Sequence, residues 1–129
     1  MAKIAIVYHS GYGHTAKVAE HVRIGATSVE GAEVTLYKAD DLTSPDTGPW
    51  DELAAADAII FGAPTYMGSA SAVFKQFQDA SSKAWFTHAW KDKIAAGFTN
   101  SGSLYGDKSS TLQQFSTLAA QHGMVWVGT

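Results

Sequence analysis

Apolar positions along this chain fall into two rhythms. Five short runs read as strands: Ile4–Tyr8, Val34–Tyr37, Ala58–Phe61, Ile94–Phe98 and Met124–Val127. The first, third and last are nearly continuous in apolar residues, which suits strands buried on both faces of a parallel sheet. Between the runs the spacing becomes helical. From His14 onward one stripe carries Thr15, Val18, Ala19, Val22, Ala26 and Val29; from Ser69 onward it carries Val73, Phe74 and Phe77. From Ser109 onward Leu112, Phe115, Leu118, Ala119 and His122 share a face, and Asp51–Ala56, with Pro49 near its start, forms a shorter helix. Gly31 and Gly123 are the expected stops of the first and last long helices. The alternation βαβαβαβαβ predicts an α/β fold, a parallel sheet with helices on both faces.

In such sheets ligands bind beyond the carboxyl ends of the strands, beside a topological switch point. Three loops leave those ends: Ser10–Thr15, Pro64–Ser69 and Thr99–Gly106. All three combine glycine, hydroxyl and aromatic side chains. The first contains Gly11-Tyr12-Gly13-His14-Thr15-Ala16, which satisfies the G-x-G-x-x-A dinucleotide pattern. That pattern also needs an acidic residue at the end of the second strand to hold a ribose. Glu33 comes before that strand, and Asp40 and Asp41 lie in a loop where capping or turn duty explains them. A Walker loop is excluded, because no Gly-Lys-Ser/Thr is present.

The better reading is a cradle for a terminal phosphate. Backbone N–H groups at a helix start, backed by the helix dipole, bind anions without a counter-cation. Gly11 and Gly13 permit the tight path, and Ser10 and Thr15 add hydroxyls, with no lysine or arginine in the stretch. The competing explanation for this loop alone is an ordinary strand-to-helix turn capped by Ser10. In the second loop Pro64 fixes the turn, Thr65 offers a donor, and Tyr66 and Met67 offer apolar surface before Gly68. The third, Thr99-Asn100-Ser101-Gly102-Ser103-Leu104-Tyr105-Gly106, offers donors and another aromatic. Together they suit a flat, polar-edged heterocycle whose phosphate sits in the first loop, whereas either alone reads as a solvated turn.

Composition narrows the field. The chain has 129 residues, the size of one domain spanning 1–129. It lacks cysteine, which removes disulfides, thiolate metal sites and a cysteine nucleophile. The net charge is -3, and the nine basic residues are scattered, which argues against a nucleic-acid partner. No apolar run approaches the roughly 20 residues of a membrane span. The histidines show no metal-binding spacing, and no G-x-S-x-G elbow is present. The expectation is a soluble, cytoplasmic globular domain with no metal.

Ser10-x-Tyr12-Gly13-x-Thr15 after the first strand resembles the phosphate loop of flavodoxins. Tyr12-Gly13-His14, Ala58-Ile59-Ile60-Phe61-Gly62, Pro64-Thr65-Tyr66-Met67-Gly68 and His122-Gly123-Met124-Val125 more closely resemble the WrbA branch of that superfamily, over essentially the whole chain. Members of that branch are FMN-dependent NAD(P)H:quinone oxidoreductases, often tetrameric. The resemblance implies a flavodoxin-like, doubly wound five-stranded sheet of order 2-1-3-4-5. It implies that Ser10, Gly11, Tyr12, Gly13, His14 and Thr15 cradle the FMN phosphate. Pro64, Thr65, Tyr66, Met67 and Gly68 would border the isoalloxazine, and Asn100, Ser101, Gly102, Ser103, Leu104 and Tyr105 would wrap its other edge. Tyr12 and Trp85 match residues that contact nicotinamide nucleotide and quinone, in a homo-oligomer (dimer or tetramer).

The chain departs from the branch at four places, one of them a trimmed insert after the second strand. Gln121 stands where the branch has a flavin-contacting histidine. Leu104 and Tyr105 replace two glycines, which implies a narrower ring pocket. The sequence stops at Thr129, straight after the fifth strand, where a closing helix is expected. That leaves a shortened chain, or an apolar face bare or covered by a partner. The function expected is transfer of two electrons from NADH or NADPH through FMN to a quinone. The rivals are a one-electron carrier of flavodoxin type and a module that keeps the fold without the flavin.

Overall fold

The structure is a computed structural model that describes residues 1–128. Strand β1 (Ala2–Tyr8) leads through the first loop into α1 (His14–Thr27), then β2 (Ala32–Lys38). A single 3-10 turn (Ala39–Leu42) and helix α2 (Trp50–Ala55) precede β3 (Ala58–Tyr66). A short strand β4 (Ser69–Ala70) follows, then α3 (Ala72–Ala80), α4 (Ser82–Phe86), β5 (Ile94–Asn100), α5 (Lys108–Gln121) and β6 (Val125–Trp126).

The main sheet is parallel, in the order β2-β1-β3-β5-β6. This is the expected 2-1-3-4-5 order once the two-residue β4, absent from the sequence reading, is set aside. Strands are added on one side of β1 (β2) and then on the other (β3, β5 and β6), so the switch point lies at the carboxyl ends of β1 and β3.

The period-two alternation of the strands divides the core. Ala5, Val7, Ile59, Phe61, Ala63 and Ala95 point to one face. There they meet Leu53 of α2, Phe74 and Phe77 of α3, and Phe115, Leu118 and Ala119 of α5, with Trp90 fully buried among them. The aromatic rings interlock: Phe74 and Phe115 have centroids 4.9 Å apart, and Phe74 and Phe77 meet edge-on at 5.2 Å. Such contacts add to the burial of area that drives the packing. Ile6 points to the opposite face, where Ala19 of α1 is fully buried.

Several boundaries differ from the sequence reading. The third and fourth strands run on through Tyr66 and Asn100, and their ladder extends to the pair Pro64–Asn100. The β1 ladder on the other side stops at Gly62, so Pro64 needs no donor there. The helix read from Ser69 starts instead at Ala72, because Ser69–Ala70 folds back antiparallel on Thr65–Tyr66. The turn between them is Met67-Gly68, both at positive φ (49° and 87°), the pairing that a tight two-residue hairpin demands. The last strand shrinks from Met124–Val127 to Val125–Trp126. Gly123, at φ 68°, ends α5 as expected, whereas α1 ends at Thr27 and Gly31 serves the turn into β2.

Candidate functional site

The first loop is an open cup. Gly13 adopts φ 96° at the entrance of α1, which turns the chain so that successive amides face outward. Its N–H donates to Ser10 Oγ at 3.1 Å. That bond uses a lone pair of Ser10 and leaves its proton free. Among the described residues, the amides of Gly11, Tyr12, His14 and Thr15 donate to no protein acceptor. Gly11 to His14 are solvent-exposed, so the amides open on the rim and are not plugged by a side chain. Four free amides, one free hydroxyl proton and a helix start fit a phosphate monoester without a cation.

Thr15 behaves differently from the expectation. It is buried, and its hydroxyl donates to Asn100 Oδ1 at 2.7 Å. In this state the hydroxyl ties the first loop to the third, and the cup relies on amides and Ser10. Thr65 is similarly engaged. Its Oγ1 lies 2.8 Å from both Thr99 Oγ1 and Thr111 Oγ1, and Thr99 Oγ1 donates to Ala63 O at 2.7 Å. Since Thr99 spends its proton on Ala63, it accepts from Thr65, which in turn accepts from Thr111. The chain of hydroxyls runs one way, from α5 through β3 to β5, and the Thr65 hydroxyl has no proton left for a ligand.

Tyr12 (84% exposed) and Tyr66 meet edge-on, with centroids 6.2 Å apart. Tyr66 lies so close over Gly11 that a Cβ there would collide with its hydroxyl. Met67, Leu104 and Tyr105 stand exposed on the same rim. A cleft of about 380 Å³ beside the cup is lined by Tyr8, Ser10, Gly13, Lys38, Asp40 and Asp41.

Trp85 and Gln121 do not join this rim within one chain. Gln121 ends α5, which starts beside the third loop and runs 14 residues back along the sheet. At 1.5 Å per residue that is a separation of about 20 Å. Trp85, 48% exposed, shares with Gln121 a separate cleft of about 480 Å³ that runs between α3, α4 and α5.

Three residues near the rim escaped the sequence reading. Buried His9, at the end of β1, places Nδ1 2.6 Å from Ser71 Oγ at the start of α3. Gln114 Oε1 accepts from the Ala70 N–H at 3.0 Å and pins the hairpin. Lys108 Nζ donates to Ser101 Oγ (2.9 Å) and to the carbonyls of Ser103 and Leu104 (both 3.1 Å). None of these lies in a recognisable motif; only the fold brings them to the loops.

A parallel 2-1-3-5-6 sheet with an anion cup at its switch point defines a flavodoxin-like protein. Residues 3–129 match the family model described as NADPH-dependent FMN reductase, and the chain belongs to that family. It is 48% identical over 127 residues to a protein named flavodoxin FldP from Pseudomonas aeruginosa, with 98% of this chain and 66% of that protein aligned. It is 37% identical over 143 residues to an NAD(P)H dehydrogenase (quinone) of Geobacter sulfurreducens, with 97% and 70% aligned. Among solved structures, a WrbA-like flavodoxin from Agrobacterium tumefaciens superposes with a TM-score of 0.86 at 51% identity, covering 98% of this chain and 77% of that one. FMN and a nicotinamide nucleotide are the cofactors by membership of this family, and the chain is a WrbA-type FMN oxidoreductase in its broad class.

Proposed function

We propose that residues 1–129 form one flavin-binding domain that passes two electrons from NADH or NADPH to a quinone. The observation that carries this reading is the open cup of unpaired amides at Gly11–Thr15, on the same rim as two aromatic turns. FMN supplies the redox chemistry when bound. The amides of Gly11, Tyr12, His14 and Thr15, with the Ser10 hydroxyl, hold the phosphate. The Met67-Gly68 turn and the Asn100–Tyr105 loop border the ring, the former through Tyr66 and Met67. Tyr12 offers a flat, exposed face for a nicotinamide or quinone ring to stack on. No side chain need act as nucleophile, and no proton is routed through Thr65, whose hydroxyl is spent.

Trp85 and Gln121 reach such a site only from a second copy of the chain. Their place in the cleft between α3, α4 and α5 supports a homo-oligomer in which one subunit's cleft residues close over another's rim. The reading is tested by giving FMN-loaded protein NAD(P)H and a quinone. Equimolar loss of nucleotide and quinone, with little reduction of an obligate one-electron acceptor, supports it. A Ser10→Ala/Thr15→Ala double variant should lose most of that turnover at limiting FMN.

The second reading is a one-electron carrier. The name of the Pseudomonas relative favours it. Against it stands the net charge of -3, mild for a protein that docks through an acidic face. A carrier would not oxidise NAD(P)H without a separate reductase, so the same assay separates the two.

A further inference from the structure

The first loop contains no cation, but the third is held by one. Among the described residues, Lys108 is the only lysine or arginine whose hydrogen bonds reach any of the three loops. Its ammonium has three donors, and all three are used within residues 101–104. The position is unusual for a lysine. It is the first residue of α5, where the helix dipole is positive and a basic side chain is disfavoured. Asp107 before it holds φ 56°, a left-handed backbone that turns the chain sharply into the helix. A residue kept against the dipole has its compensation elsewhere, and here that is the loop. Serine and two carbonyls surround the ammonium, and no carboxylate pairs with it among the described residues; the neighbouring Asp107 carboxylate faces Gly68 of the second loop, with Oδ2 3.9 Å from where a Cβ there would stand.

We propose that Lys108 is a positioning residue that closes the third loop, and that its charge, held in the loop without an ion-pair partner, makes the site prefer the reduced form of the ring bordered by that loop. This rests on the flavin reading above. Hydride transfer breaks a nicotinamide C–H bond and forms an N–H bond on the ring. The nicotinamide is oxidised and the ring reduced by two electrons with one proton. The ring is thereby one negative charge richer until a second proton arrives from water. A fixed cation at its edge stabilises that charge more than it stabilises the neutral oxidised ring. The phosphate is already an anion in both states, so the neutral cup leaves affinity for it unchanged by reduction. The division of labour is between a neutral cup that binds and a charged loop that discriminates redox state.

The test compares wild type with Lys108→Met, which keeps the apolar stem, and Lys108→Arg, which keeps the charge. The first measurement needs no flavin. Backbone NMR order parameters at residues 101–106 should fall in Lys108→Met toward the values below about 0.6 of a flexible segment, because the three bonds from Nζ are what hold this exposed stretch. The second is the midpoint potential of bound FMN. Lys108→Met should weaken reduced FMN at least about tenfold more than oxidised FMN, a fall of about 30 mV for a two-electron couple. Lys108→Arg should hold the potential near that of wild type. Lys108→Gln replaces Lys108→Met if the latter does not fold. Unchanged order parameters would overturn the loop's dependence on Lys108. Equal weakening of both redox states, with the potential unmoved, would reduce the residue to a structural brace and overturn the proposal. Failure of wild type to bind FMN is read separately and would overturn the function along with it.

Discussion

Gly13 sits at φ 96°, and no atom lies within 4 Å of where a Cβ would stand. Space is therefore not the issue; the left-handed backbone is. Gly13→Ala should cost about 1–2 kcal/mol, the penalty of placing an L-residue there, and shift the urea midpoint without changing its slope. An unchanged midpoint would mean that the loop had relaxed to another path. His122 offers a second residue-scale test. Ser81 Oγ donates to Gln78 O, so it accepts from His122 Nε2–H at 2.9 Å, and Nδ1 is left buried without a partner beside Trp90. Burial lowers the pKa of this imidazole to about 4. The unfolded chain then binds a proton that the folded chain refuses, between the ordinary histidine value and about 4. The contribution to stability is whole above about pH 6.5 and is lost as pH falls through this window toward 4. A His122→Gln variant should show a shallower loss of stability over that range than wild type; equal slopes would contradict the assignment.

At the scale of elements, the strands and long helices were legible because burial imposes period. Continuous apolar runs became β1 and β3, and the Phe74–Phe77 and Phe115–Leu118 stripes became the buried faces of α3 and α5. Phe115 touches Phe61 and Phe74, and its ring fills the space over Gly97, where a Cβ would stand 2.7 Å from it. Phe115→Ala should destabilise by about 3–5 kcal/mol in chemical denaturation. What the pattern did not reveal was set by local backbone geometry or by contacts distant in sequence. The β4 hairpin depends on two positive-φ residues at Met67-Gly68, and methionine gives no warning of that. Helix α4 is five residues long and buries none of them, so it is too short and too exposed for a periodic stripe. The hydroxyl chain Thr111–Thr65–Thr99 joins three elements 46 residues apart at most, and no motif predicts it.

For the whole molecule, the loops named from glycine and hydroxyl content do meet at one rim, because a parallel sheet brings every strand's carboxyl end to the same edge. The same topology explains why Trp85 and Gln121 stand apart from them: Trp85 lies in α4, reached after α3 has run back from the rim, and Gln121 is the far end of α5. No helix among the described residues is long and apolar enough to cross a membrane. If a second copy supplies Trp85, two defective variants should complement each other. Mixing Ser10→Ala/Thr15→Ala with Trp85→Ala, after dissociation and reassembly, should recover NAD(P)H:quinone turnover above the mean of the separate proteins. Turnover no higher than that mean would place Trp85 outside the site.

The cup itself is tested most directly by removing the group it is built to hold. Titrating the protein with FMN and with riboflavin, followed by flavin fluorescence, isolates the phosphate's share of binding. Several charge-assisted bonds from amides and Ser10 predict saturable FMN binding and at least about hundredfold weaker riboflavin binding. Equal affinity for the two flavins, or no saturable binding of either to folded protein, would contradict the account.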